Sequence, residues 1–72
     1  MSKLENMLRA TALADKAKAI LSLELLGNQA VGIGDHSTED FYKNAEEALA
    51  MLVDADDRLA AIDKYLTNRE VL

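Results

Sequence analysis

The strongest constraint on the fold of this chain is a run of apolar side chains between Ser37 and about Leu66. Within this run the apolar residues are separated by steps that alternate between four and three. Such spacing is the heptad pattern of a helix that buries one face along another helix. We expect that buried face to consist of Phe41, Ala45, Ala48, Leu52, Ala55, Leu59, Ile62 and Leu66.

The distribution of helix-breaking residues divides the chain into two helices. The 72 residues include no proline and three glycines, all of which lie between positions 27 and 34. The sequence therefore predicts an all-α fold, a two-helix antiparallel hairpin in one domain covering 1–72. The predicted elements are helix 1 at about 3–26, a loop at 27–37 and helix 2 at about 38–66.

Capping residues define the expected helix ends. Ser2 is a candidate N-cap, with Glu5 three residues later in the capping-box position. Gly27 can adopt the left-handed conformation that ends a helix, so we expect helix 1 to stop there. Ser37 is the preferred cap of helix 2, which carries acids in its first turn.

Helix 1 has apolar residues on more than one side. At 100° per residue its broadest apolar stripe is predicted to be the packing face, and it consists of Met7, Ala10, Ala14, Ala17, Leu21 and Leu25. Leu8, Leu23 and Leu26 lie off this stripe. Because one partner helix would not cover all of these residues, we expect the hairpin to form a homodimer, a four-helix bundle. The long loop also leaves open an arrangement in which the helices are swapped between copies.

The expected interface residues come from helix 2 and its flank. They are Phe41, Ala45, Ala48, Leu49, Leu52, Leu59 and Ile62.

The charge of the chain is unevenly distributed. Residues 1–36 carry as many acids as bases, so the whole net charge of −5 falls on residues 37–72. An acidic surface repels phosphate backbones, which argues against nucleic acid as a partner. The same acids serve as a solvated face that keeps the protein soluble.

Several classes of protein are excluded or disfavoured by composition. The chain has no cysteine, so it has neither disulfides nor thiolate metal sites. Charged residues interrupt the start of the chain, which is unlike a signal peptide, and no stretch reaches the roughly 20 apolar residues of a membrane span. We therefore expect a cytoplasmic protein with no membrane partner.

Candidate chemical sites are weak. Asp54, Asp56 and Asp57 are the densest acid cluster, but they lack the spacing of a calcium loop, and we assign no metal ligand. Glu46 and Glu47, with Asp54 and Asp57, faintly resemble the acid sets of all-helical nucleotide pyrophosphatases, yet helix 1 has no matching pair.

The loop also lacks a catalytic motif. His36 between Asp35 and Ser37 is not a catalytic triad, because triads are assembled from separated segments. Gly32 and Gly34 are not a phosphate loop, because the further glycine, the lysine and the preceding strand are missing. No catalytic or cofactor-binding residue is assigned and no cofactor is expected.

The segments VGIGDHSTEDFYKNAEEAL (31–49) and VDADDRL (53–59), with LELL (23–26), resemble small helical proteins encoded by tailed phages of cyanobacteria. This resemblance covers most of the chain. It implies a viral or host-cytoplasmic setting, and it assigns no activity and no residue role.

Three functional hypotheses follow from the sequence. The first is a non-enzymatic, oligomeric interaction protein that binds another protein through the acidic helix 2 face or the glycine loop. The second is a small metal- or nucleotide-handling enzyme that uses the helix 2 carboxylates. The third, weaker hypothesis is a regulator or antitoxin whose acidic face mimics nucleic acid. The enzyme hypothesis requires Glu46, Glu47, Asp54 and Asp57 to converge on one cavity.

Overall fold

The computed structural model describes residues 2–28 and 37–67, with the backbone alone at 37 and 38. Two helices, α1 (Lys3–Gly27) and α2 (Ser37–Ile62), pack against each other, and a single π-helical turn (Asp63–Thr67) follows α2. Side chains near the start of α1 contact side chains in the π turn, so the helices run antiparallel. The described residues contain no strand, and the predicted all-α hairpin is confirmed.

The start of α1 follows the capping prediction in part. Ser2 is the N-cap, and its Oγ accepts a hydrogen bond from the Glu5 N–H at 3.0 Å. The Ser2 carbonyl accepts from the Asn6 N–H, also at 3.0 Å. The Glu5 carboxylate, however, does not complete a capping box. It reaches across to Thr67 in the π turn.

The end of α1 differs from the prediction. Gly27 is the last residue of the helix, and its φ lies outside the left-handed region. Asn28 follows with φ −89° and ψ −7°, and its N–H donates to the Glu24 carbonyl at 3.1 Å. An ordinary helical hydrogen bond closes this end of α1, and Gly27 does not adopt the left-handed conformation. The predicted left-handed cap is wrong.

The heptad face of α2 packs as predicted. Ala48, Ala55 and Ile62 are buried, and the other members of the pattern are half-buried: Phe41, Ala45, Leu52, Leu59 and Leu66. Small residues at Ala48 and Ala55 allow the helix axes to approach closely. This part of the sequence interpretation is confirmed.

The packing face of α1 is the opposite of the predicted one. Ala12 and Ala19 are completely buried, and Leu23 and Leu26 are half-buried. The residues predicted to pack are instead exposed, and Met7, Leu21 and Leu25 retain 57%, 55% and 58% of their accessible surface. The face in contact with α2 also has steps of four and three, and it consists of Glu5, Arg9, Ala12, Lys16, Ala19, Leu23 and Leu26.

Ion pairs with α2 and with the π turn accompany this choice of face. Arg9 pairs with Asp63, and Lys16 Nζ lies 3.0 Å from Asp56 Oδ1. If α1 were rotated so that its apolar stripe faced α2, Arg9 and Lys16 would move away from Asp63 and Asp56, and these acids would lose their basic partners. The two fully buried alanines then fill the narrow space between the helices, where larger side chains would push them apart.

The chain after Ile62 departs from a regular α-helix. The sequence predicted helix to about Leu66, whereas Asp63–Thr67 form one wider π turn. Such turns insert an extra residue and rotate the side chains that follow. Asp63 and Thr67 both reach Arg9 from this turn.

Candidate interaction surfaces

The predicted interface residues fall into two groups. Six of them lie in the contact of α2 with α1 within one chain: Phe41, Ala45, Ala48, Leu52, Leu59 and Ile62. Leu49 lies outside this contact with 52% of its surface exposed. The surface still free to bind a partner is therefore largely elsewhere on the hairpin.

Among the described residues, most of the exposed large apolar side chains lie on α1. We define the outer face of α1 as the stripe directly opposite its contact with α2, and it comprises Met7, Ala10, Ala14, Ala17, Leu21 and Leu25, with Leu4 at its edge. At 100° per residue this stripe lies about 180° from Ala12 and Ala19. Leu13 and Ile20 widen it and are also exposed. Contiguous apolar patches of this kind mark interaction sites more often than scattered apolar residues do.

The opposite surface of the hairpin is acidic. We define the outer face of α2 by Glu39, Glu46, Ala50 and Asp57, which lie about 180° from the heptad face and are all exposed. Within the described residues none of these three acids forms an ion pair. The hairpin thus has one apolar outer face and one acidic outer face.

A polar cluster joins the start of α1 to the π turn. The Thr67 hydroxyl donates to Glu5 Oε2 at 2.7 Å and accepts from Arg9 Nη2 at 2.8 Å. Arg9 Nη1 lies 2.9 Å from Asp63 Oδ1, and Arg9 Nη2 lies 3.6 Å from Glu5 Oε2. Glu5 is 6% exposed, and these groups are the polar partners of its carboxylate. The cluster fixes the relative position of the two helix ends.

A second group of charges lies near the middle of the hairpin. Arg58 Nη2 donates to Asp15 Oδ2 at 2.7 Å, and Arg58 Nε donates to Asp54 Oδ2 at 3.0 Å. The hydrogen bond that Arg58 donates to Asp15, with the nearby Asp54 charge, raises the pKa of Arg58 above its usual value. Arg58 therefore stays charged and bridges the two helices.

The acid cluster on α2 does not converge on one point. Asp54 pairs with Arg58 on one side of the helix, whereas Asp56 pairs with Lys16 on the other. Among the residues that the structure describes, no group of three or more histidine, cysteine or acidic side chains is arranged to hold a metal ion. Glu46 and Glu47 are exposed on α2.

Two shallow grooves flank the helix contact. One, of about 390 Å³, is apolar and is lined by Leu8, Thr11, Arg58, Ala61, Ile62, Tyr65 and Leu66. The other, of about 410 Å³, is near the loop end and is lined by Ser22, Leu25, Leu26, Asn44, Glu47, Ala48 and Met51. Neither groove gathers a set of catalytic side chains.

Some predictions fall outside the described residues. They concern Asp35, His36, the glycine pair at Gly32 and Gly34, and the side chain of Ser37. The two tyrosines are described. Tyr42 packs edge-on against Phe41 with ring centroids 5.6 Å apart, and Lys64 Nζ lies 5.2 Å from the Tyr65 ring centroid.

The sequence interpretation missed the two charged groups that join the helices. One signal was available, because Glu5, Ala12, Ala19 and Leu26 recur at intervals of seven residues, which is a second heptad series on helix 1. Charged residues at seam positions made that series look like a solvent-facing surface. Their α2 partners are far away in sequence, so local periodicity did not reveal them.

Comparison with models of protein families, with curated proteins and with solved structures finds no match for this chain. No helix among the described residues combines the length and apolar character that crossing a bilayer requires. The exposed surfaces of the hairpin therefore provide the evidence for its function.

Proposed function

We propose that this chain is a non-enzymatic interaction protein that self-associates and presents an acidic surface to another protein. The observation that supports the proposal is the exposed outer face of α1. On it or at its edge, Leu4, Met7, Leu21 and Leu25 each keep more than half of their surface in contact with solvent.

Burial of this face would contribute substantial free energy. Complete burial of a leucine or methionine side chain stabilises by roughly 1.5–3 kcal/mol. Four side chains that are about half exposed therefore offer several kcal/mol per copy, on the order of what a weak to moderate dimer requires. A homodimer of hairpins, a four-helix bundle, is the simplest assembly that buries the face.

The acidic outer face of α2 supports the second half of the proposal. Its acids are free of ion pairs with described residues. A protein with a basic patch would be attracted to this face, and complementary charge raises association rates. The glycine loop at 27–37 is the other predicted contact. A cytoplasmic, phage-encoded setting remains a prediction from the sequence.

The enzyme hypothesis has less support. It requires the carboxylates of α2 to converge on one cavity, whereas Asp54 and Asp56 are paired with bases on different sides of the helix. No observation on the described residues favours it over the interaction protein.

Light scattering over a range of concentrations tests self-association directly. We expect the mass of a dimer at high concentration, and a mass of 7.9 kDa throughout would contradict the proposal. Binding of a second protein is tested with the immobilised full chain as bait. A matched bait with Glu46→Lys and Asp57→Lys should lose its bound proteins, and equal capture by both baits would exclude the acidic face.

A further inference from the structure

The outer face of α1 is nearly symmetric along its length. Large side chains lie at both ends, Met7 at one and Leu21 and Leu25 at the other. The middle is small, with alanine at positions 10, 14 and 17. In a two-fold interface, residue i of one copy contacts residue j of the other, and residue j of the first contacts residue i of the second. A stripe with large side chains at both ends and small ones in the middle meets that condition when the two copies run antiparallel.

The exposed charges at the two ends of the stripe have opposite signs, so they are complementary between two antiparallel copies. Lys3 lies at one end and Glu24 near the other, and neither forms an ion pair with a described residue. An antiparallel pair centred near Ala14 places each Lys3 beside the partner's Glu24. A parallel pair would instead put Lys3 opposite its own copy, and these like charges would repel.

Net charge selects the helix that can lie at the centre of a dimer. Residues 1–36 sum to zero, whereas residues 37–72 carry −5. Contact between two α2 outer faces would bring two strongly negative surfaces together. Contact between two α1 outer faces joins neutral segments and leaves the acidic faces at the two far edges, where repulsion is smallest.

We infer that a second copy of this chain occupies the outer face of α1, antiparallel and centred near Ala14, giving the helix order α2–α1–α1–α2. This inference rests on the self-association proposed above and specifies its geometry. The small residues at the centre let the two α1 helices approach closely, and the leucines and methionine at each end seal the contact. Both acidic faces stay free for another protein.

Cysteine cross-linking tests the face that is used, since the native chain has no cysteine. Ala14 and Ala50 are both exposed alanines, one on each outer face. On oxidation Ala14→Cys should give a covalent dimer, because a residue near a two-fold axis meets its own copy within disulfide range. Ala50→Cys, the matched control, should not. Circular dichroism of both variants checks that the fold is retained.

Charge reversal tests the orientation. Lys3→Glu places a glutamate beside the partner's Glu24, and we expect the dissociation constant to rise about two- to tenfold. Glu24→Lys should do the same, and the double variant should return to the native value. In a parallel pair Lys3 and Glu24 of different copies lie at opposite ends of the contact, so the double variant would show no recovery.

The outcomes separate this inference from the proposed function. A native dimer whose Ala14→Cys variant does not cross-link, or whose Ala50→Cys variant does, would overturn the geometry and leave self-association standing. A native monomer at all concentrations would overturn both. Cross-linking at Ala14 alone, together with recovery in the double charge reversal, supports the antiparallel α1 contact.

Discussion

The Thr67 hydroxyl donates a hydrogen bond to Glu5 Oε2 across 2.7 Å, although 62 positions separate the two residues. The same hydroxyl accepts from Arg9, so a neutral side chain from the π turn links an acid and a base on α1. Glu5 is buried, and a buried carboxylate that loses a donor is costly. This contact ties the start of α1 to the end of the described chain.

Replacement of Thr67 by valine should destabilise the hairpin. The substitution keeps the side-chain shape but removes a donor to Glu5 and an acceptor for Arg9. We expect the free energy of unfolding to fall by about 1–3 kcal/mol. Urea denaturation followed by circular dichroism measures the change. Thr11→Val on the exposed side of α1 is the control, and equal stability of the two variants would contradict a structural role for Thr67.

Leu52 and Leu49 should respond very differently to the same substitution. Leu52 lies in the contact with α1, whereas Leu49 is 52% exposed. Leu52→Asp places an unpaired charge between the helices and should cost about 3 kcal/mol or more, enough to unfold the hairpin. Leu49→Asp should change stability by less than about 1 kcal/mol. Thermal melts give the comparison, and a folded Leu52→Asp protein with an unchanged melting temperature would refute the heptad seam.

Sequence periodicity was sufficient for α2 because its apolar residues alternate with charges. Leu52, Leu59 and Ile62 recur on one face, while Glu46 and Asp57 occupy the other, so one side alone was suited to burial. The buried positions of α2 therefore agree with the sequence interpretation. Burial of one apolar face along a partner is a local property of the pattern.

The same reasoning failed for α1 because apolar residues surround most of that helix. Met7, Leu21 and Leu25 make the more hydrophobic stripe, yet the side with Arg9 and Lys16 packs on α2. Arg9 and Lys16 on that side pair with the distant acids Asp63 and Asp56, and a single-sequence pattern contains no information about these pairs. This error matters for function, because the sequence interpretation placed the outer face of α1 in the helix contact, whereas that face remains exposed.

Gly27→Ala should stabilise the protein. Gly27 is helical, its φ is outside the left-handed region, and an added Cβ would meet no atom within 4 Å. Alanine restricts the unfolded chain and favours helix, which should raise the free energy of unfolding by about 0.5–1 kcal/mol. Thermal and urea melts measure the gain. A loss of stability would mean that the residue needs a conformation that only glycine adopts easily.

Divalent cations should leave the stability unchanged. Asp54 is held by Arg58 and Asp56 by Lys16, so a cation would have to compete with two bases for carboxylates on different sides of α2. Calcium and magnesium prefer several oxygen ligands that converge on one point. We expect the melting temperature in millimolar calcium or magnesium to match that in a sodium chloride control of equal ionic strength. A ligand that binds only the folded state raises the melting temperature, so a rise specific to the divalent ion would revive the metal-dependent enzyme hypothesis.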